Sequence, residues 1–467
     1  MRLINPVDYF FLALEGRERP LHVGGLQLFT PPAGAGPDFA RELYTKLVSA
    51  EAVSTRFRQT LGSVSARPKA LSWRDDKNID LDYHVRLSAL PRPGRIRELL
   101  EVTSRWHSSL LDRHRPLWEI HVVEGLRDGR LAVYTKMHHA LADGVTALKL
   151  MQSSLSEDPG VTGVPPLFAP HKRHRDEDAG RGPFGALKVA AGMGMEAVGL
   201  TRATAEIGWQ IARERDMPLP LRAPRSMFNV PIGGARRFAA QSWRIERVRA
   251  VANALDCTLN DAVLGMCGGA LRAFLLEQQA LPDAPLVAFV PVSLHGRGSG
   301  DASNSVAAVL ANLGTDTADP LQRMQAVTAS MRQAKQMMSG LTPLQAMAVS
   351  AAMLAPFATS SVTRAVGAVP PTFNVVISHV PGPTRAMYWD GAKLDGVYPA
   401  SIVMDGAALN ITLTRTADTL DFGIIGCRTA VPHVQRLLIH LETALAELEN
   451  ALGLGVPLHQ PCASLRC

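Results

Sequence analysis

The sequence lacks the motifs that mark several common enzyme classes. It contains no GxSxG nucleophile elbow, no GxxxxGK phosphate loop and no glycine-rich dinucleotide fingerprint. These absences argue against hydride transfer and nucleotide hydrolysis. Charged residues make up only 19% of the chain and hydrophobic residues 46%, which is typical of a folded globular protein and not of a disordered one.

Cysteine is scarce, and its positions show no pairing pattern. The five cysteines are Cys257, Cys267, Cys427, Cys462 and Cys467. The number is odd and no CxxC spacing occurs, so the sequence predicts reduced thiols in a cytosolic compartment.

Targeting and membrane-spanning segments are not expected from the hydropathy pattern. The apolar stretch near the N-terminus is short, is broken by Asp8 and Glu15, and lacks a small-residue cleavage site, so no signal peptide is predicted. No window approaches the roughly 18 uncharged apolar residues of a spanning helix. Any contact with a membrane is therefore expected at its surface.

The length of 467 residues exceeds a typical single core and predicts two domains. Composition shifts to proline, glycine and charge between about residues 157 and 182, and an Ala-, Gly- and Met-rich helical pattern follows at 184–213. The predicted division is an N-terminal domain at 1–170, a linker with a helical segment at 171–225, and a C-terminal domain at 226–467.

The net charge of +7 is compatible with nucleic acid, an anionic membrane surface or a phosphate-bearing substrate as partner. The basic run 172–175 is followed at once by the acidic run 176–178, so it is largely neutralised. No basic stripe interleaved with aromatic residues appears, which argues against nucleic-acid binding.

The most informative stretch is KMHHALADGV at residues 136–145. The preceding residues alternate in polarity and predict a strand that ends at the histidines. After Asp143 and Gly144, apolar residues recur every three or four positions and predict a helix. The histidines thus occupy a strand-to-helix connection, a place where functional side chains are common.

Four interpretations of the histidine pair remain open on chemistry alone. A zinc site needs three or four converging ligands, and adjacent strand residues point to opposite faces, so His138 and His139 could hardly share an ion. A catalytic triad would need a nucleophilic serine or cysteine, which no motif in the sequence indicates. The pair could be structural, with Asp143 capping a helix. Alternatively, His139 is a general base, since imidazole titrates near neutral pH, and Asp143 fixes its loop.

A family resemblance narrows this choice. The stretch HHALADG matches the HHxxxDG motif, and further matches follow in the family's order: PLW at 116–118, TLNDAVLGMCGGALR at 258–272, FVPVSL at 289–294, FNVVISHVPGP at 373–383 and YPASIVMDGAALNITL at 398–413. Together they span nearly the whole chain. The sequence resembles the bacterial wax ester synthase/acyl-CoA:diacylglycerol acyltransferases of the CoA-dependent acyltransferase superfamily, and within them looks most like the marine wax ester synthases.

The resemblance implies an α/β (α+β) fold of two chloramphenicol-acetyltransferase-like domains with mixed sheets and an active-site tunnel at the domain interface. It implies an O-acyltransferase that moves a long-chain acyl group from acyl-CoA to a fatty alcohol, with a side activity on diacylglycerol. Acyl-CoA would be a co-substrate, and no cofactor or metal is expected. The alternatives are acyl transfer from a carrier protein and a non-catalytic lipid-binding or lipid-body protein.

The resemblance also implies roles for single residues around the motif. His139 would be the general base and His138, on the opposite face, its support. Asp143 resembles a structural aspartate that pairs with an arginine to hold the loop. Gly144 is expected to permit the turn.

Other matched residues are candidates for substrate binding. Asn260 and Asp261 would lie beside the active site, although Thr258 and Asp261 also resemble a helix capping box. The remaining candidates are Pro116, Leu117 and Trp118, as core packing or tunnel wall, and Ser293. At His379 the family usually has asparagine, and the effect of this departure stays open.

The expected substrates are water-insoluble, which points to a lipid surface as a further partner. The Ala-, Gly- and Met-rich stretch carries scattered basic residues, a composition compatible with lying among lipid headgroups or with packing between the domains. We therefore expect a cytoplasmic protein associated peripherally with the inner face of the membrane or with lipid inclusions.

Overall fold

The computed structural model describes residues 2–4, 6–64, 67–170, 220–293, 306–339, 341, 343–363 and 365–455. The helices within these ranges are Pro6–Leu14 (α1), Phe39–Val48 (α2), Leu81–His84 (α3), Ile96–Ser108 (α4), Gly144–Ser153 (α5), Ile245–Ala254 (α6), Leu259–Glu277 (α7), Pro320–Ser339 (α8), Pro343–Thr363 (α9) and Arg436–Ala451 (α10), with a 3₁₀ turn at Thr55–Arg58. The predicted helical segment at 184–213 lies outside the described residues.

The strands of the same ranges are Arg2–Leu3 (β1), His22–Thr30 (β2), Gln59–Val64 (β3), Arg67–Asp75 (β4), Val85–Ala89 (β5), Trp118–Glu124 (β6), Leu131–His138 (β7), Arg236–Arg244 (β8), Val287–Ser293 (β9), Val306–Asn312 (β10), Val375–Val380 (β11), Tyr388–Trp389 (β12), Ala392–Ala400 (β13), Leu409–Thr416 (β14) and Thr419–Cys427 (β15). The strand predicted to end at the histidines and the helix predicted after Asp143 are both confirmed, as β7 and α5.

The N-terminal half forms a six-stranded sheet of order β12-β13-β2-β7-β6-β5. Its β5–β6 pair is parallel and its other pairs are antiparallel. Two of its strands, β12 and β13, come from the C-terminal half of the chain. The predicted N-terminal domain of residues 1–170 is therefore incomplete by itself, because residues 388–400 complete its sheet.

The C-terminal half forms a second six-stranded sheet of order β10-β9-β11-β14-β15-β8. β11 runs parallel to β9 and β14, and the other pairs are antiparallel. Both sheets are mixed, which confirms the predicted fold class. A small sheet of order β1-β4-β3 lies apart from them.

Strand β7 is buried on both faces because it separates two hydrophobic cores. Ala132 and Tyr134 belong to a large core that extends into the C-terminal half. Leu131, Val133 and Met137 belong to the core of the N-terminal half. The alternation of the strand thus assigns one face to each core, and the end of β7 lies at the junction between the two halves.

Strand β13 links the two sheets. It pairs with β2 in the N-terminal sheet and also contacts β14 and β15 of the C-terminal sheet. The buried Asp421 carboxylate of β15 accepts hydrogen bonds from the backbone N–H of Val397, at 2.9 Å, and from the Ser242 hydroxyl, at 2.6 Å. These contacts fix the C-terminal sheet against β13 of the N-terminal sheet.

Helix α7 requires a correction to the expectation about spanning segments. Among the described residues it is the one helix long and apolar enough to cross a membrane by length and composition. Most of its residues are buried, and it packs against α6, α8 and α10. It is therefore the central helix of the C-terminal core.

Candidate active site

His139 lies immediately beyond the end of β7, where three apolar clusters meet. Phe11, from the core shared by both halves, stacks on the His139 ring with a centroid distance of 3.9 Å and an interplanar angle of 20°. Ala140 belongs to a small cluster with Leu12, and Leu141 belongs to the N-terminal core. The backbone N–H of His139 donates to Leu21 O at 3.0 Å, which fixes the start of the loop.

His138 is fully buried and is held by both ring nitrogens. Its Nδ1 accepts a hydrogen bond from the Ala140 N–H at 3.0 Å, so in the neutral ring the proton resides on Nε2. Nε2 lies 3.3 Å from Glu15 Oε1, and Arg113 contacts the other Glu15 oxygen at 3.1 Å. His138 is thus anchored to Glu15 and to the backbone of the histidine loop, and its supporting role remains a prediction.

Glu15 is ionised in this environment despite its burial. The surrounding protein would by itself raise the pKa of this carboxyl, but the contacts with His138, Arg113 and the Leu21 N–H together lower it. Leu21 also accepts the His139 N–H. The chain from Glu15 to Leu21 therefore contacts both histidines of the motif.

Burial lowers the pKa of His139 to about 4, with Asp143 opposing the shift and His138 adding to it. Desolvation disfavours the imidazolium form. At neutral pH the ring is therefore uncharged, with one of its two nitrogens unprotonated. This is the protonation state that a general base needs before it reacts.

Asp143 is the N-cap of α5, as the capping interpretation predicts. Its Oδ1 accepts a hydrogen bond from the Thr146 N–H at 2.7 Å, and its backbone is extended. In the part of the chain that the structure describes, no arginine pairs with Asp143. The predicted arginine partner is therefore not found within these ranges, and Asp143 holds the loop as a helix cap.

Gly144 does not have the role that the sequence suggested. Its φ lies outside the left-handed region that favours glycine, so the turn does not require it. A Cβ built at this position would meet no atom within 4 Å. The expectation that Gly144 permits the turn is wrong. Instead, its missing side chain leaves open space at the start of α5.

A buried ion pair lies on the same face of β7 as His138. Lys136 Nζ is 2.5 Å from Glu119 Oε1, and the Lys136 side chain is fully buried. The ammonium group also donates to the carbonyl oxygens of Trp106 and Ser109 at the end of α4, at 2.8 and 3.0 Å. Burial would raise the pKa of Glu119, but His121 and Lys136 lower it to about 2. Glu119 is therefore a buried carboxylate that depends on the Lys136 ammonium group and the His121 ring.

A buried segment lies next to the histidine loop and supports it through a backbone hydrogen bond. It consists of Pro116, Leu117 and Trp118. The backbone N–H of His138 donates to Leu117 O at 2.9 Å. The Trp118 ring stacks on His84 at 4.4 Å, and its indole N–H donates to Phe57 O at 2.8 Å. The predicted core-packing interpretation is confirmed for Trp118, whereas a wall of a tunnel remains a prediction.

Asp261 forms the predicted capping box at the start of α7. Thr258 Oγ1 accepts the Asp261 N–H at 3.2 Å, and Asp261 Oδ2 accepts the Thr258 N–H at 3.1 Å. The other oxygen lies 3.3 Å from Lys335 Nζ. Asp261 is therefore engaged in holding the helix.

The remaining candidates have fewer contacts. Asn260 is partly exposed, and its amide makes no hydrogen bond within the described residues. Ser293 is the last residue of β9 and pairs with Val306. His379 lies in β11 opposite Leu413, and burial lowers its pKa. The roles of these three residues beside His139 remain predictions.

Replacing Asp143 with alanine should reduce both stability and activity, because the cap of α5 also fixes the loop that carries His139. Loss of a cap costs about 0.5 to 2 kcal/mol, measurable by urea denaturation. Asp319 provides a matched control, since it caps α8 through the N–H groups of Leu321 and Gln322. Asp319→Ala should lower stability without reducing turnover. An Asp143→Ala variant that melts like the wild type but loses the base-limited pH dependence of its turnover would show that Asp143 acts in the chemistry instead.

The architecture defines a class of fold: a chain of two halves, each built on a mixed six-stranded sheet, with His139 at the end of β7 between the two cores. The starter condensation domain of rhizomide synthetase shares this fold, with a TM-score of 0.55 at 13% identity over 97% of this chain and 94% of that chain. A solved wax ester synthase/diacylglycerol acyltransferase from Marinobacter aquaeolei VT8 matches with a TM-score of 0.80 at 43% identity, over 97% and 100% of the two chains.

The sequence profiles of one family cover most of the chain. The wax ester synthase/diacylglycerol acyltransferase catalytic domain matches residues 4–263, and the C-terminal domain of the same family matches residues 302–449. The chain belongs to the wax ester synthase/diacylglycerol acyltransferase family and is an acyltransferase.

Curated relatives agree with this assignment. A probable diacylglycerol O-acyltransferase of Mycobacterium tuberculosis is 52% identical, over 97% of this chain and 100% of the relative. O-acyltransferase WSD of Acinetobacter baylyi is 39% identical, over 97% and 98%. The family resemblance read from the motifs is thus confirmed, and it is not confined to the marine enzymes.

Proposed function

We propose that this acyltransferase moves a long-chain acyl group from acyl-CoA to the hydroxyl of a fatty alcohol, forming a wax ester, with a side activity on diacylglycerol. The observation that carries the proposal is the uncharged His139 at the junction of the two halves, stacked on Phe11 and fixed by Leu21. Both substrate classes agree with the names of the relatives.

The reaction requires a base and no enzyme nucleophile. As the alcohol oxygen attacks the thioester carbonyl, His139 takes its proton, a contribution of roughly 10²- to 10⁴-fold. The tetrahedral intermediate then collapses, the C–S bond breaks, and the imidazolium returns the proton to the thiolate. Because a thiol has a pKa of roughly 8.5, it leaves without a strong acid. The products are the ester and free CoA, and no cofactor takes part.

The other site residues have supporting roles in this proposal. His138, bound to Glu15, and Asp143, capping α5, fix the two ends of the histidine loop. The open space at Gly144 leaves room for substrate beside the base. Asn260 has an amide free to donate toward the developing oxyanion, a role that removal of its N–H groups would test.

A thiol-release assay tests the proposed reaction. Purified protein with acyl-CoA and a long-chain alcohol should release free CoA in a one-to-one ratio with ester. No release with acyl-CoA, but transfer from an acyl carrier protein, would show that the donor is a different thioester. No transfer from either donor would indicate that the protein binds lipid and does not catalyse acyl transfer. A panel of alcohols and acyl-CoAs would then give the chain-length preference.

We further propose peripheral attachment to the inner face of the cytoplasmic membrane or to lipid inclusions. The insoluble substrates, the net charge of +7 and the basic residues at 184–213 support this, although that segment lies outside the described residues. Binding should be stronger to anionic than to neutral vesicles and should weaken as salt increases, as sedimentation would show. Deletion of 184–213 should abolish the difference. Equal, salt-insensitive recovery on both vesicles would refute electrostatic attachment.

A further inference from the structure

The stretch between α1 and β2, residues 15–21, contacts both histidines of the motif and is called the bridging segment below. At its start, Glu15 Oε1 lies 3.3 Å from His138 Nε2. At its end, the Leu21 carbonyl accepts the His139 N–H at 3.0 Å. The bridging segment therefore supports the histidine loop at two successive residues.

Arg19 connects the bridging segment to the C-terminal half of the chain. Its Nη1 lies 3.4 Å from Asp405 Oδ2 and donates to the carbonyl of Ser361, near the end of α9, at 3.3 Å. The backbones of Gly16 and Arg19 exchange two hydrogen bonds, of 2.9 and 3.2 Å, which close the turn that carries the guanidinium. A displacement of Arg19 would therefore be transmitted to the rest of the bridging segment.

Asp405 is itself held by the C-terminal half. Its Oδ1 accepts the Ile232 N–H at 2.8 Å, and its carbonyl oxygen accepts the Ser361 hydroxyl at 2.9 Å. Only 12% of the Asp405 side chain and 16% of the Arg19 side chain are exposed. Because an ion pair that is largely removed from water is screened little, this pair can maintain a defined geometry between the two halves.

Two further contacts hold the bridging segment against the C-terminal half. Arg236 Nη2 donates to the Glu18 carbonyl at 3.0 Å. The Gly234 backbone approaches the bridging segment so closely that a Cβ at this position would lie 2.5 Å from the Arg17 carbonyl oxygen. The φ of Gly234 lies outside the left-handed region, so the close approach, and not the backbone conformation, requires glycine here. The two halves are therefore packed at this point without room for a side chain.

We propose that Arg19 is a positioning residue of the acyl transfer, which holds the bridging segment, and with it the backbone of the histidine loop, in a fixed position relative to the C-terminal half. The inference rests on the proposed role of His139 as the base. Substrates bound at the junction would contact both halves, and a displacement of the base by about 1 Å can reduce the rate roughly 100-fold. The ion pair with Asp405 thus acts on the reaction without touching the substrate.

The variants Arg19→Met and Gly234→Ala disturb the bridging segment by different means. The first removes the cation, and the second places a methyl group against the Arg17 carbonyl while every charge stays in place. In a thiol-release assay, each should lower kcat about 10-fold, with KM for acyl-CoA and for the alcohol within about twofold of the wild type. Because Arg19 makes both contacts through one nitrogen, Arg19→Lys should retain kcat within about threefold.

Each variant has a matched control. Arg247 pairs with Glu442 at 2.9 Å within the C-terminal half, and its side chain is likewise 16% exposed. Gly233 is the neighbouring glycine, but a Cβ there would meet its nearest atom, the Thr429 hydroxyl oxygen, at an ordinary contact distance of 3.7 Å. Arg247→Met should lower thermal stability, and neither Arg247→Met nor Gly233→Ala should change kcat.

Hydrogen exchange gives a measurement that does not depend on activity. The His139 amide donates to the Leu21 carbonyl, so its exchange reports on the contact between the bridging segment and the histidine loop. In Arg19→Met and Gly234→Ala this amide should exchange about 10-fold faster than in the wild type. In the two controls it should exchange at the wild-type rate.

The outcomes separate this inference from the proposed function. Unchanged kcat or unchanged exchange in Arg19→Met or Gly234→Ala would overturn the positioning role, whatever the role of His139. An equal loss of kcat in Arg247→Met would show a general effect of destabilisation and would also overturn it. If His139→Ala remained active, the base assignment would fail, and the exchange rates would still decide whether Arg19 holds the histidine loop.

Discussion

Acyl transfer should be abolished in the His139→Ala variant, with fold and acyl-CoA binding close to those of the wild type. The imidazole acts only in the transition state, so its removal should lower kcat by at least about 100-fold. The Phe11 ring would lose its stacking partner, but the hydrogen bond from the backbone of residue 139 to Leu21 O remains. Thiol release measures turnover, calorimetry measures acyl-CoA binding, and thermal unfolding measures the integrity of the fold.

A surface histidine provides the control for this experiment. The side chain of His114 is 97% exposed, and its hydrogen bonds among the described residues are to Asp112. His114→Ala should therefore retain wild-type turnover and stability. If His139→Ala kept more than about a tenth of the wild-type kcat, the loss would be too small for a general base. His139 would then have a structural role in the loop and would not be the general base.

A large effect on stability is expected when Lys136 is replaced by methionine. The Lys136 side chain is fully buried and neutralises Glu119, so the variant leaves a buried carboxylate with weaker partners. Removing one member of such a pair typically costs about 3 to 5 kcal/mol. The free energy of unfolding from urea titration should fall by this amount. The carbonyl oxygens at the C-terminal end of α4 would also lose their hydrogen bonds from the ammonium group.

A double variant and an exposed ion pair test the cause of that loss. The double variant Lys136→Met with Glu119→Gln removes the unpaired carboxylate charge and should recover part of the stability. Arg385→Met breaks an exposed pair with Glu157 and should have little effect on stability. A loss in Lys136→Met as small as that in Arg385→Met would show that the buried pair contributes no more than an exposed one.

The same ion pair predicts a dependence on pH. The folded-state pKa of Glu119, about 2, lies below its ordinary value of 4.5. Its contribution to stability is therefore complete above about pH 4.5 and is lost as the pH falls toward 2. The stability difference between the wild type and Glu119→Gln should shrink over this range in acid denaturation experiments. A difference that stays constant would mean that Glu119 titrates alike in the folded and unfolded chains.

Local patterns in the sequence were sufficient to predict the strand and the helix on either side of the histidine motif. Alternation predicted the strand that ends at His138, and the spacing after Asp143 predicted the following helix and its cap. The capping box of Thr258 and Asp261 was likewise visible in four consecutive residues. These features depend on hydrogen bonds and periodicities within a few positions, which a sequence displays directly.

The supporting contacts of the histidines could not be read in the same way. Phe11 and Glu15 precede the motif by more than a hundred residues, and nothing local connects them with His138 and His139. One signal was available: a carboxylate within an apolar N-terminal stretch often marks a buried, paired charge. Lys136, inside a strand buried on both faces, carried the same signal. The geometry that selects their partners depends on the packing of distant segments.

Strand β13 has a consequence for the order in which the protein can be assembled during translation. Residues 22–138 of the N-terminal sheet leave the ribosome well before residues 392–400, so the edge of β2 that pairs with β13 stays unpaired in the meantime. At about 5 to 20 residues per second, this interval lasts from roughly ten seconds to a minute. An open strand edge is a site for aggregation. A nascent or truncated N-terminal half therefore depends on protection of β2 until the late strand arrives.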